Sequence, residues 1–217
     1  MVVKNLTNDN SLFSHFLAEI RDEETQKDSM RFRRNLERVG EMFAYEISKV
    51  LKYTQTDIQT PLGIARENVL KDKILLATIL RAGLPMHQGL LNYFDKAENA
   101  FISAFRKYDK DGSFDIKLEY ISSPSPENKI VIISDPMLAT GASMVYACRA
   151  LIQKGIPKHI HIVTAIASKE GVEFVNKNLG GVNFNIWAGA IDEELTVKSY
   201  IVPGLGDAGD LAYGGKE

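Results

Sequence analysis

Short continuous apolar runs alternate along this chain with stretches of helical periodicity. Segments 73–80, 130–133, 159–167 and 184–191 are apolar, rich in β-branched residues and bounded by polar ones, as in strands buried on both faces of a parallel sheet. Segments 84–94, 141–154 and 170–178 read as helices between them. Alternating β and α units predict an α/β fold built on a doubly wound, mostly parallel sheet. Two more strands, at 99–105 and 114–121, flank a charged, glycine-containing loop at 106–112, a candidate lid.

Upstream, Met30, Leu36, Val39, Met42, Phe43, Ile47 and Val50 fall at helical spacing and predict a long amphipathic helix over 29–51. Arg31, Arg33, Arg34 and Arg38 cluster in its first turns. A solvated face or subunit contact is the simplest account of that cluster, and contact with an anionic effector is the alternative. Residues 54–59 alternate, Pro61 and Gly63 punctuate, and 64–70 complete a β-hairpin arm suited to building a dimer or tetramer. The expected organisation is one domain over 1–217. Helices and arm occupy about 1–70, the core about 71–192, and a C-terminal segment about 193–217.

Composition narrows the function. The chain has 217 residues, 45% of them hydrophobic, and a formal net charge of −2 with both signs interspersed. This suits one substantial core and small-molecule chemistry, with neither nucleic acid nor membrane as partner. No window approaches the apolar length of a membrane span or signal peptide, so the expected compartment is the cytoplasm. The single cysteine, Cys148, excludes an internal disulfide and a cysteine-based zinc site. His15, His87, His159 and His161 lack metal-ligand spacing.

Chemistry concentrates in residues 129–143. The strand at 130–133 delivers Asp135 to its carboxyl edge, where open α/β sheets bind ligands. Thr140-Gly141-Ala142-Ser143 then offers backbone N–H groups and hydroxyls at a helix start, a cradle for a phosphomonoester. Near the end, Gly204-Leu205-Gly206-Asp207-Ala208-Gly209 formally satisfies a dinucleotide fingerprint. Too little chain follows to supply the helix and the rest of the βαβ unit that the fingerprint needs. A glycine-rich backbone that approaches a flat base closely is the better reading.

Taken together, Ile79-Leu80-Arg81-Ala82-Gly83-Leu84, Asp135-Pro136-Met137-Leu138-Ala139-Thr140-Gly141 and Tyr200-Ile201-Val202-Pro203-Gly204-Leu205-Gly206-Asp207-Ala208-Gly209-Asp210 resemble the uracil phosphoribosyltransferase family. The resemblance extends through Arg31-Phe32-Arg33 and Tyr45-Glu46 to nearly the whole chain. It implies a type I phosphoribosyltransferase fold with a hood over the base, a homodimer or homotetramer, and a pyrimidine-salvage reaction. In that reaction 5-phosphoribosyl passes from phosphoribosyl pyrophosphate (PRPP), with Mg²⁺, to N1 of uracil, giving UMP and pyrophosphate.

The resemblance also implies roles. Arg81 and Arg106 match the pyrophosphate arginines, whose forked donors suit phosphate oxygens. Asp135 lies near the ribose hydroxyls, Pro136, Met137 and Leu138 belong with it to the PRPP-binding set, and Ala139, Thr140, Gly141, Ala142 and Ser143 hold the 5′-phosphate. Asp207 lies by the ribosyl pyrophosphate; Ile201, Gly206 and Ala208, together with Asp207, hold uracil. Arg81, Arg106, Asp135 and Asp207 form the catalytic set. Mg²⁺ is held mainly by PRPP, with Asp207 the one side chain put forward as a ligand, and GTP is a candidate effector at the N-terminal arginines. Backbone donors facing O4 of uracil would oppose the amino group of cytosine.

Three departures from the family pattern stand out. Ala142 replaces a common second glycine, which alanine permits only at negative φ. The loop after Arg106 lacks the usual acidic pair, and the end at Leu211-Ala212-Tyr213-Gly214-Gly215 differs. The competing readings are an RNA-binding pyrimidine-gene regulator on the same fold and a transferase for another nucleobase. No long basic stripe supports the regulator.

Overall fold

The computed structural model describes residues 2–108 and 114–215, with the backbone alone for 104–108 and 114–119. In chain order the elements are β1 (Val3–Asn5), α1 (Leu12–Arg21), α2 (Ser29–Ser48), β2 (Tyr53–Thr60), β3 (Gly63–Leu70), β4 (Ile74–Leu80), α3 (Leu84–Tyr93), β5 (Glu98–Tyr108), β6 (Phe114–Ser122), β7 (Ile130–Ser134), β8 (Met137–Leu138), α4 (Ala142–Ile152), β9 (His159–Ser168), α5 (Lys169–Asn178), β10 (Phe184–Asp192), β11 (Glu194–Leu195), β12 (Ile201–Val202) and α6 (Ala208–Tyr213).

The central sheet runs β1-β10-β9-β7-β4-β5-β6, with β8 alongside β9. Every pairing in it is parallel except β5 with β6. The doubly wound, mostly parallel sheet is therefore present, and its one antiparallel pair lies at an edge, where a hairpin can close without a crossover. From β4 the chain moves outward to β5 on one side and later returns to β7 on the other. The crevice beyond β4 and β7 is thus the topological switch point, where such sheets bind ligands.

Both sheet faces are covered. Phe13, Leu17, Phe32, Leu36, Phe43, Met86, Leu90 and Trp187 pack α1, α2 and α3 against one face. Leu75, Val131, Ile133, Met144, Leu151, Ile162 and Val175 pack α4 and α5 against the other. The long helix begins as expected at Ser29, where Asp28 Oδ1 accepts the N–H groups of Met30 and Arg31 at 3.0 and 3.1 Å, an N-cap. It ends at Ser48, short of the expected 51. Helix α1 and strand β1 were not anticipated. The apolar face of α1 is only Phe13, Leu17 and Ile20, with Ser11 Oγ accepting from Phe13 N–H as its cap.

Strands β2 and β3 pair from Tyr53↔Leu70 to Thr60↔Gly63 as the expected arm. Its tip exposes Leu62 and Ile64. No helix among the described residues is long and apolar enough to cross a membrane.

Candidate active site

At the switch point, Thr78 and Ser134 are buried side by side, with Thr78 Oγ1 donating to the Ser134 carbonyl at 3.2 Å. Asp135 follows. Its N–H donates to the Val163 carbonyl at 3.1 Å, and the Pro136 carbonyl accepts from Ile166 N–H at 3.0 Å. Strand β8 resumes pairing with β9 at Met137↔Ile166. This step in the chain aims the Asp135 carboxyl into the crevice. Burial drives that carboxyl up to about 7, the Asp207 carboxylate adding to the rise and the Met137 N–H opposing it.

A small cleft lined by Asp135, Met137, Leu138, Ala139, Thr140, Gly141, Ser143 and Met144 continues from Asp135 to the start of α4. Gly141 sits just before that helix with φ 76° and no side-chain cap, so no side chain competes with a ligand for the first N–H groups. Ala142 has negative φ, so this departure from the family pattern fits the turn. The Ala139 carbonyl is turned away from the cleft, accepting from Ser168 Oγ at 2.6 Å. Ser168 Oγ in turn accepts Gly171 N–H at 2.8 Å. A Cβ at Gly171 would lie 2.2 Å from the Ala139 oxygen, so the close approach of α5 to this turn requires glycine there. Sequence reasoning missed Ser168 and Gly171. The available signal was a serine ending an apolar run three positions before a glycine in a helical pattern.

Arg81 leaves the end of β4, and the Leu80–Arg81 peptide is cis. Its Nη2 donates to Asp210 Oδ1 at 3.2 Å and to the Gly214 carbonyl at 2.6 Å. The tail thus folds over the loop after β4. Arg106 lies on β5 opposite Ile116. Expectations for its side chain and for a lid through Gly112 fall outside the described residues.

The glycine-rich segment ends in a helix after all, the short α6. Asp207 is its N-cap, with Oδ1 accepting from Gly209 and Asp210 N–H at 2.8 and 3.0 Å. Ala208 opens the helix and is buried, Ile201 is buried in β12, and Gly206 is exposed between them. Strand β12 pairs with β11, forming a small hairpin beyond the main sheet.

The structure therefore brings Asp135 and the 137–143 turn to one cleft, with the Asp207 carboxylate near enough for Asp135 to feel its charge and Arg81 tied to the C-terminal segment that carries Asp207. The Asp207 carboxylate, whose Oδ2 makes no hydrogen bond among the described residues, fits the modest protein contribution that Mg²⁺ takes when phosphates supply its other ligands. No cage of three or more His, Cys, Asp or Glu exists among the described residues.

The N-terminal arginines are engaged within the chain. Arg31 forks onto Glu19 at 2.6 and 3.0 Å, and Arg33 donates to the Ala212 carbonyl at 2.6 Å. Arg34 pairs with Glu37 at 2.7 Å, and Arg38 donates to Asn35 at 2.9 Å.

Comparison with known proteins agrees with this geometry. Residues 7–215 match the family model described as uracil phosphoribosyltransferase. The chain is 56% identical over 216 residues to the uracil phosphoribosyltransferase of Porphyromonas gingivalis, covering 100% of both. Among solved structures, it is similar to the AQ2163 protein from Aquifex aeolicus, at TM-score 0.87 and 31% identity over 98% of each chain. A hypoxanthine-guanine phosphoribosyltransferase from Bacillus anthracis shares the fold at TM-score 0.50 and 13% identity, over 74% of this chain and 81% of that one. A full-length family match, joined to carboxylates and a phosphate turn at the switch point of the sheet, means that this chain belongs to the uracil phosphoribosyltransferase family.

Proposed function

We propose that the crevice beyond β4 and β7 carries out the family's pentosyl transfer, moving 5-phosphoribosyl from PRPP to N1 of uracil, with the following division of labour. The 5′-phosphate sits on the α4 N-terminus, held by the N–H groups of 139–143 and the hydroxyls of Thr140 and Ser143. Asp135 takes the ribose hydroxyls and opposes the positive charge that develops at the anomeric carbon. Arg81 and Arg106 take the pyrophosphate, whose negative charge grows as it leaves. Bound Mg²⁺ would neutralise pyrophosphate oxygens, with the Asp207 carboxylate beside it. Uracil is held edge-on by the backbone of Ile201, Gly206 and Ala208.

The observation that carries this reading is the Asp135 carboxyl lining one cleft with a helix N-terminus that no side chain caps. The test is UMP and pyrophosphate formation from PRPP and Mg²⁺, with uracil, cytosine, hypoxanthine and orotate offered in parallel. Uracil-only turnover that falls at least about 100-fold in Asp135→Asn is expected, on the scale of losing a charge-stabilising group. Turnover with a different base would overturn the uracil assignment, and full activity in the variant would overturn the role of Asp135.

The reaction belongs in the cytoplasm, in keeping with a lone buried thiol. The exposed arm is assigned to a homodimer or homotetramer, which sedimentation tests. A GTP effector at Arg31 to Arg38 would have to displace Glu19, Ala212, Glu37 and Asn35. Unchanged rate and sedimentation with GTP would remove it.

A further inference from the structure

The sheet has a second cavity at its opposite, amino edge, beneath the root of the β-arm. It encloses about 280 Å³. Lys52 and Asp72, where the arm joins the core, form one wall; Lys158, His159, His161 and Asn185, at the starts of β9 and β10, form the other. Ile130 also lines it, and Ile130 and Asp135 bracket β7, so the cavity lies roughly 16 Å from the catalytic edge at the strand rise of about 3.3 Å per residue.

The lining offers more donors than acceptors, its one carboxylate being Asp72. Asn185 Oδ1 accepts from Val2 N–H at 3.1 Å, leaving its amide N–H groups. His161 is buried, and its Nδ1 accepts the Trp187 indole N–H at 3.0 Å, so its Nε2 carries the proton. Asp72 Oδ2 accepts from Lys52 N–H at 2.8 Å. His159 Nε2 is buried with no partner, and neither Lys52 nor Lys158 has an ion-pair partner among the described residues. Lys4 adds a further positive charge, its Nζ 4.4 Å over the Trp187 ring. Burial, His159 and Lys4 push His161 down to about 3, the behaviour of a buried imidazole beside positive charge.

Two lysines without ion-pair partners among the described residues, the Asn185 amide and the His161 Nε2–H outnumber the single carboxylate of Asp72, and with the unpartnered His159 Nε2 they describe an anion site. We propose that this amino-edge cavity binds a small phosphate-bearing anion, free phosphate or the phosphate group of a nucleotide, separately from the catalytic crevice. Because its wall includes both ends of the arm, an occupant there would brace the arm against the core.

Trp187 is the chain's only tryptophan and is hydrogen-bonded to a cavity residue, so its emission reports this site directly and independently of turnover. The experiment titrates the full chain with inorganic phosphate, UMP and UTP at constant ionic strength, with chloride as control, in wild type, Lys52→Ala, Lys158→Ala and Asp135→Asn. The expected result is a saturable change in Trp187 emission that weakens at least tenfold in either lysine variant and is retained in Asp135→Asn. Saturation by a nucleotide well below the phosphate concentration needed would name the nucleotide as source; equal or better saturation by phosphate would name the free ion. No saturable change, a change matched by chloride, or one lost in Asp135→Asn and kept in both lysine variants would overturn the proposal.

Discussion

Arg21 presents its two terminal nitrogens to the two carboxylate oxygens of Asp192, each at 2.8 Å, and also donates to the Gly204 carbonyl at 3.0 Å. Asp192 Oδ2 accepts Gly204 N–H at 2.9 Å. One ion pair thus ties α1, the end of β10 and the glycine-rich C-terminal segment together. Arg21→Lys keeps the charge and loses the fork, and Arg21→Ala leaves Asp192 buried and unpaired. Arg21→Ala should cost about 3 kcal/mol, and both variants should raise KM for uracil more than KM for PRPP. Burial alone would raise Asp192, but the Arg21 guanidinium and the Gly204 N–H outweigh it and hold the carboxyl below its ordinary value of 3.8. That contribution is present above the ordinary value and lost as pH falls through the native one. The acid limb of a Tm–pH curve should therefore be shallower in Arg21→Ala. An unchanged limb would contradict the assignment.

Arg81 spends the ligand-free state against Asp210 and Gly214, an exposed ion pair of the kind worth no more than about 1 kcal/mol. In the proposed reaction pyrophosphate would offer the same guanidinium a stronger partner, so Asp210 would compete with substrate. Asp210→Asn should lower KM for PRPP by about two- to fivefold, within that range of energy. Arg81→Lys should raise it at least about tenfold through loss of the fork. Initial-rate kinetics in PRPP, at saturating uracil, decide both; a raised KM in Asp210→Asn would mean that the tail positions Arg81 instead.

Much of this architecture was legible because its signals are local. The apolar runs of β4, β7, β9 and β10 are buried on both faces, and such strands announce themselves by composition. Gly141 and Asp135 could be placed because a strand, an acid and a helix start adjoin in sequence. Helix α1 was missed because three apolar contacts, Phe13, Leu17 and Ile20, carry its packing. Asp207 as the cap of α6 and Ser168 behind Ala139 depend on contacts between distant segments. The Arg31 to Arg38 cluster illustrates the same limit, since its partners Glu19 and Ala212 come from other helices.

Ser168 braces the 139–143 turn, the proposed phosphate cradle, from behind. Its hydroxyl donates to the Ala139 carbonyl and accepts from Gly171 N–H, serving as the N-cap of α5 as well. Ser168→Ala removes both bonds and should cost about 1–2 kcal/mol. With the Ala139 carbonyl released, KM for PRPP should rise several-fold while KM for uracil stays within twofold of wild type, roughly the effect of one weakened hydrogen bond. Ser168→Thr, which keeps the hydroxyl, should restore most of the PRPP affinity. Equal changes in both KM values would show a general structural role.

Asp135 is a buried carboxyl that costs the ligand-free protein stability when it ionises. Its carboxyl, ordinarily at 3.8, is pushed up to about 7 by burial first and by the Asp207 carboxylate after it. A raised native value means that the folded chain holds this proton more tightly than the unfolded one. The associated stability is complete below the ordinary value and disappears as pH rises through about 7. In the ligand-free protein, Asp135→Asn should therefore be more stable than wild type above neutrality, by an amount bounded at on the order of 4 kcal/mol, and the advantage should vanish near pH 4. Thermal unfolding of both proteins from pH 4 to 8 measures this. A Tm difference that does not grow with pH would mean that Asp135 ionises freely and that the crevice exerts no such strain, whereas the expected divergence would show that the folded crevice penalises the Asp135 carboxylate.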